Sequence, residues 1–319
     1  MGETALYYLD SDGTAYEALL DLMVSQRGTQ GDKLKLPEKS QLLTVIPYRA
    51  SLRNFVVTRS GLVYPFPAFE RLDLVLNAPE FKYLKDAFMQ GASLLPLPES
   101  VSSDDRIVLL TNKGRIVCSS VSLLDDVSNT GVQLAKITKD DEMVVSACLL
   151  TSGQDLLIFT ESGYTLLVAA SSIRTCTGKA IQPWNGIKLQ GNNQAVCCLP
   201  HCQELLIAKE DGSLAALNRK INPVVTLNSM GVELTKGSHV ISAFPRTDYI
   251  IMADHKGYMA VLDSKDFTSK NKNQGIKAKG LARNAKMVCA FGVDAGQKTN
   301  PSFEEQGTMT KDTEEAADE

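Results

Sequence analysis

No apolar run in the sequence approaches the roughly 18 residues that a membrane-spanning helix needs, and the start Met1-Gly2-Glu3-Thr4 is not a basic-then-apolar leader. Both absences argue against passage into or through a membrane. Histidine is scarce: His201, His239 and His255 are the only three, each in a different stretch beside a turn or loop. There is no Gly-x-x-x-x-Gly-Lys-Ser/Thr phosphate loop and no recognisable paired-carboxylate motif. These gaps point away from catalysis, and no catalytic residue is assigned. The seven cysteines follow no framework spacing and are odd in number, the usage of reduced thiols in a cytoplasmic protein. The one Cys/His cluster is Cys197-Cys198-Leu199-Pro200-His201-Cys202. Adjacent cysteines on a strand point to opposite faces, and no second ligand pair sits at metal-binding spacing. No metal and no other cofactor is expected.

What is present is the composition of an ordinary globular chain: 319 residues, 44% apolar and 22% charged, enough for one large all-β domain or two smaller ones. The formal net charge of −4 is unevenly spread. Residues 293–319 hold Asp294, Glu304, Glu305, Asp312, Glu314, Glu315, Asp318 and Glu319 against Lys298 and Lys311, so the remainder is positive. That acidic segment lacks the apolar content to fold and is expected to be a disordered tail. Just before it, Lys265, Lys270, Lys272, Lys277, Lys279, Arg283 and Lys286 stand against a single acid, Asp266.

One unit recurs six times: an apolar strand, a polar turn ending in glycine, then a second apolar strand. The turns close on Gly13, Gly61, Gly114, Gly163, Gly212 and Gly257, at intervals of 48, 53, 49, 49 and 45 residues. Glycine tolerates the positive φ of a tight hairpin turn, and the flanks, such as Ile107-Val108-Leu109-Leu110, are strand formers. A second glycine follows each hairpin by roughly 18 to 30 residues and opens another strand: Gly31, Gly91, Gly131, Gly186, Gly231 and Gly275. An apolar strand often ending in proline comes next, as in Leu42–Pro47. Each unit of about 50 residues thus holds about four strands, too few to bury a face alone but sufficient when arranged radially. A pair of β-sandwiches is the competing fold, and the even spacing disfavours it. The expectation is one all-β, six-bladed, propeller-like domain over residues 1–292, with blades starting near 5, 53, 105, 154, 203 and 248.

This repeat pattern resembles the C-terminal domain of the A subunit of bacterial type IIA topoisomerases, DNA gyrase and topoisomerase IV. Those domains are β-pinwheels, propeller variants whose blades exchange strands. Gyrases carry a glycine-rich, doubly basic box in the first blade, on the loop around which DNA is wrapped. Here the matching place reads Gln26-Arg27-Gly28-Thr29-Gln30-Gly31-Asp32-Lys33. It keeps the Gln-Arg-Gly opening and the closing glycine, and lacks the second arginine and the Gly-Gly pair. That departure looks more like topoisomerase IV or a divergent gyrase, and argues against strong chiral wrapping. After the hairpin glycine, where DNA-binding family members often carry Lys or Arg, only Arg115 is basic.

The resemblance implies a non-catalytic domain that binds and bends duplex DNA of any sequence and presents it to separate cleavage domains of an ATP-hydrolysing topoisomerase. Its partners would be duplex DNA and the remaining domains or subunits of that enzyme, in the cytoplasm at the nucleoid and not at a membrane. The chain begins almost directly in its first strand, as an excised or separately encoded domain would. Candidate contacts are Gln26, Arg27, Gly28, Gly31, Lys33, Lys35 and Arg59 early in the chain, then Arg115, then Lys270, Lys272, Lys277, Lys279, Arg283 and Lys286 in the last blade. Lysines bind phosphate by charge, and interleaved Gly and Asn let backbone N–H groups approach it. The bland alternative for each is a solvated surface base. Arg53 is a weaker candidate for extending the same positive rim. Trp184 is read as filling a blade interface. The alternative function is a protein-interaction propeller without DNA binding, which the modest charge of the body favours.

Overall fold

The computed structural model describes residues 5–18, 31–66, 68–69, 71–217, 224, 226–267, 276–277 and 284–294. Along the chain the first unit forms β1 (Ala5–Asp10), β2 (Ala15–Glu17), β3 (Asp32–Lys33) and β4 (Leu42–Tyr48). The second forms β5 (Arg53–Val57) and β6 (Leu62–Phe66), then two short helices, α1 (Leu72–Asn77) and α2 (Lys82–Met89), before β7 (Ser93–Leu97). The third contains β8 (Arg106–Thr111), β9 (Arg115–Ser120), β10 (Val132–Gln133) and β11 (Val144–Leu150). The fourth contains β12 (Leu156–Thr160), β13 (Tyr164–Val168), β14 (Trp184–Asn185) and β15 (Ala195–Pro200). The fifth contains β16 (Leu205–Lys209), β17 (Ser213–Leu217), β18 (Val232–Glu233) and β19 (Val240–Pro245). The sixth contains β20 (Tyr249–Asp254), β21 (Tyr258–Asp263), β22 (Ile276–Lys277) and β23 (Met287–Val293).

These strands make six antiparallel sheets, and the short third strand of a unit completes the sheet before it. β10 pairs with β6, β14 with β9, β18 with β13 and β22 with β17. The circle is closed by β3, which pairs with β21 through Tyr258 opposite Lys33 and Met259 opposite Asp32. A strand exchange of this kind makes five of the six sheets depend on two units.

The core follows the same rule. Among the described residues there are six hydrophobic clusters, each drawn from two successive sheets. Val63 packs with Leu109 between the second and third, and Leu6 packs with Ile251 between the first and the last. Hairpin strands are therefore covered on both faces, which explains why every residue of β8, β12 and β16 is buried, including the polar Arg106, Thr111, Thr160 and Lys209 at their ends. The fourth strands, such as β11, bury only some of their residues. Trp184 packs on the clusters of both adjoining junctions, as a blade-interface residue should.

The hairpin glycines do two jobs. Gly114 has φ +71°, and its carbonyl accepts N–H bonds from Gly186 and Ile187 of the incoming strand at 3.0 Å each. A Cβ there would lie 2.6 Å from the Ile187 carbonyl oxygen. Only glycine permits both the turn and this close approach.

The structure corrects two expectations. The first sheet has three strands among the described residues, β2-β1-β4, and Gly91 opens the inner strand β7 instead of an outer one. The second unit uses the intervening residues for α1 and α2, and α1 packs beside β2 where an outer strand would lie. The Asn77 side-chain amide there donates to the Ala15 carbonyl at 2.9 Å and accepts from the Ala15 N–H at 3.0 Å. One side chain thus reproduces the paired hydrogen bonds of a strand. Met89 of α2 lies over Gly13, as Ile187 lies over Gly114.

Candidate nucleic-acid interface

Strand exchange moves candidate bases out of the blades to which their sequence positions assign them. Gly31, Lys33 and Lys35 come from the first unit, yet β3 is the outer strand of the sixth sheet. Lys277, expected in the last blade, stands on β22 opposite Ser213, at the outer edge of the fifth. The physical reason is that a two-residue strand has no partner preference of its own. It pairs with the free edge of the preceding hairpin.

At the junction of the sixth and first units, Lys33 is exposed and its Nζ lies 5.9 Å from the centroid of the Tyr258 ring. Lys35 is exposed too, its backbone carbonyl held by the Tyr8 hydroxyl at 3.1 Å. Burial pushes that phenol up to about 12, so it stays a donor across the working pH range. Leu34 N–H donates to the Gly257 carbonyl at 2.8 Å, and Lys286 N–H donates to His255 Nδ1 at 3.0 Å. Lys286, exposed, pairs with Glu210 at 2.8 Å, and that hydrogen bond raises its pKa above the ordinary lysine value. Lys33 and Lys35 thus meet the sixth hairpin at one seam, while Lys286 faces the fifth unit through Glu210.

Arg59 is exposed at the second hairpin turn, its guanidinium against the Met143 sulfur. Arg115 is committed differently. Its Nε donates to Glu142 Oε1 at 2.7 Å, its second nitrogen pairs with the other carboxylate oxygen, and Nη1 donates to the Pro183 carbonyl at 3.3 Å. Thr111 Oγ1 donates to the same buried carboxylate at 2.8 Å. Burial works to raise the Glu142 pKa, but the bonds from Arg115 and Thr111 outweigh it and hold the carboxyl below its usual range. Arg53 pairs with Asp125 at 3.2 Å and donates to the Leu124 carbonyl, joining the second unit to the third. Gln26, Arg27, Gly28, Lys270, Lys272, Lys279 and Arg283 lie outside the described residues, as do 295–319 of the acidic segment.

The fold also reveals bases that the motif reading passed over. In three consecutive sheets the third residue beyond the outer strand is an exposed lysine: Lys136 after Gln133, Lys188 after Asn185 and Lys236 after Glu233. With Lys33 and Lys277, five of the six sheets carry a lysine on or just past the outermost strand. Lys236 pairs with Glu233 at 3.1 Å, whereas Lys136 and Lys188 form no ion pair with a described residue. The signal was available as a lysine two to five residues after the second glycine in every unit but the second.

Comparison with known structures places this arrangement. The fold is that of the C-terminal domains of type IIA topoisomerase A subunits. The structure described as that of the DNA gyrase A C-terminal domain superposes with a TM-score of 0.73 at 17% identity, covering 91% of this chain and 99% of that one. The crystal structure of the C-terminal domain of DNA topoisomerase IV gives 0.61 at 14% identity, covering 93% and 95%. At the level of sequence, residues 105–147 and 154–181, in the third and fourth units, match the family described as DNA gyrase C-terminal domain, beta-propeller. The resemblance carried by the repeats is therefore supported by both fold and sequence. No curated protein matches the chain. Among the described residues, no helix is long and apolar enough to cross a membrane.

Proposed function

We propose that this chain is a non-catalytic DNA-binding and bending domain of a type IIA topoisomerase A subunit, holding a duplex segment for separate cleavage domains. The observation that carries the reading is the lysine at the outer edge of five of the six sheets. A circular belt of cations contacts phosphates without reading bases, and partial neutralisation along one side of a duplex favours bending toward it. Gln26, Arg27, Gly28 and Gly31 lead into β3 in the sequence and would extend the belt there with Lys33 and Lys35, and Lys286 would add to it beside the fifth unit. Lys270, Lys272, Lys277, Lys279 and Arg283 would extend it across the fifth and sixth sheets. Arg59 adds a contact at the second sheet. Arg115 serves this purpose least, because Glu142 already neutralises it. The acidic tail, 293–319, competes with DNA for these bases on grounds of charge alone.

Fluorescence anisotropy with a mixed-sequence duplex at graded salt tests the proposal. Five to six phosphate contacts give log K against log salt a slope of roughly −5. Absence of binding at low salt would overturn it and leave the protein-interaction propeller as the better reading. That alternative is favoured by the pairing of Lys113 with Asp141 and of Lys286 with Glu210, which removes charge from the rim.

A further inference from the structure

The junction between the third and fourth sheets holds two thiols in contact. Cys148 on β11 and Cys198 on β15 are both buried, and their sulfurs lie 3.8 Å apart, 50 residues distant in sequence. The two strands belong to different sheets. They are joined at the same level by Ser146, whose Oγ accepts from the Cys198 N–H at 3.1 Å and donates to the Cys198 carbonyl at 3.4 Å. All seven cysteines are free thiols, and Cys148 and Cys198 are the pair whose sulfurs are in contact.

We infer that Cys148 and Cys198 form a site of reversible oxidation, a disulfide that staples the third blade to the fourth. Bond formation requires the sulfurs to close from 3.8 Å to about 2.05 Å. The strand backbones are anchored on either side and need not separate. With hydrogen peroxide as oxidant, one thiol loses its proton and attacks a peroxide oxygen. The O–O bond breaks, water leaves and a sulfenic acid remains. The second thiol displaces the sulfenic oxygen as another water, forming S–S. Two S–H bonds are lost, and the two electrons have gone to peroxide. A thiol reductant reverses the step.

Burial also sets the rate. The hydrogen bond that the Cys148 thiol shares with Cys198 and the loss of solvent both raise the Cys148 pKa, so little thiolate exists there at neutral pH. Oxidation of the folded protein is therefore slow near pH 7 and accelerates as pH rises. The link is a response to sustained oxidation, distinct from the nucleic-acid reading and independent of it. Its mechanical effect is to close a loop spanning two blades, so that they part only when the bond is reduced.

Peptide mapping of the full chain without reduction, after peroxide treatment and alkylation of remaining thiols, tests the inference. The expected result is a Cys148–Cys198 linked peptide, two hydrogens lighter than the separate peptides, as the main crosslink. It should vanish with dithiothreitol and be missing from both Cys148→Ser and Cys198→Ser. The wild-type result stands even where a variant folds poorly. Recovery of both residues as free thiols or as sulfinic acids, or a different dominant pair, would overturn the site. Oxidised protein should melt about 5 °C higher than reduced protein. A melting temperature unchanged or lowered would overturn the staple.

Discussion

The first sheet and the five others solve one problem by different means. A two-stranded hairpin leaves the outer edge of its second strand with unpaired N–H and C=O groups. In the five later sheets a two-residue strand from another unit covers that edge with backbone, as β14 covers β9. In the first sheet a helix covers it with the Asn77 amide and the neighbouring Met89. Backbone cover fixes the approach to within tenths of an ångström and demands glycine at the turn. Side-chain cover is adjustable, so the same glycine in the first hairpin is constrained mainly by its own φ of +79°. The rim chemistry divides likewise: the sheets covered by strands carry a lysine there, and the one covered by a helix has none of that series.

Paired substitutions break this comparison most severely. Gly114→Ala should cost about 3 kcal/mol or more, because the left-handed turn and the Ile187 carbonyl both oppose a Cβ. Gly13→Ala should cost about 1–2 kcal/mol, since a Met89 side chain can give way. Urea midpoints measure both, and equal losses would show that the two edges are equally rigid.

Next in size is Glu142→Ala, at about 3 kcal/mol, because it strands Arg115 beside an emptied buried site. The carboxyl titrates lower in the folded protein than its unfolded value near 4.5. Its contribution is thus complete above that value and is lost as pH falls through the folded pKa. Denaturation curves of wild type and Glu142→Gln should converge on acidification, with no such convergence toward pH 8.

Asn77→Ala should cost about 2 kcal/mol by leaving both backbone groups of Ala15 without their partner. Hydrogen exchange at the Ala15 amide should speed up well before the amides of β9 respond. Smallest for stability are the rim lysines. Lys136→Glu and Lys188→Glu should each leave the urea midpoint within about 0.5 kcal/mol while reducing the salt slope of DNA binding by about 1. Lys82→Glu, on the helix beside the first sheet, should leave that slope unchanged.

The hairpins were legible because their instructions are local: an apolar run, a polar turn, and a glycine that must take positive φ. Gly61, Gly114 and Gly163 all sit where the repeat places them, each with positive φ. Pairing between units was not legible from residues alone, since Val132-Gln133 reads the same whichever hairpin it joins. The helices left a weaker trace. Gly61 and Gly91 are 30 residues apart, whereas the other five intervals run from 17 to 23. Within that longer interval Leu84, Ala87 and Phe88 recur at helical spacing and are buried. The commitment of Arg115 to Glu142 is a contact across 27 residues that no local pattern encodes. The rim lysines are hidden for a different reason: they follow the outer strands, whereas the repeat pattern marks the strand after the turn.

The closure of the circle by β3 sets an order of events on the ribosome. Each middle sheet becomes complete as soon as the following unit emerges, so assembly proceeds in step with synthesis. The first hairpin receives its helical cover early, from the second unit. The strand bearing Lys33, however, has no strand to pair with until Tyr258 is made, 225 residues later. At bacterial or eukaryotic elongation rates that wait is roughly 10–45 s. Throughout it, the sixth sheet's future edge strand waits without its ladder, and of the strand pairings this one spans the greatest sequence separation.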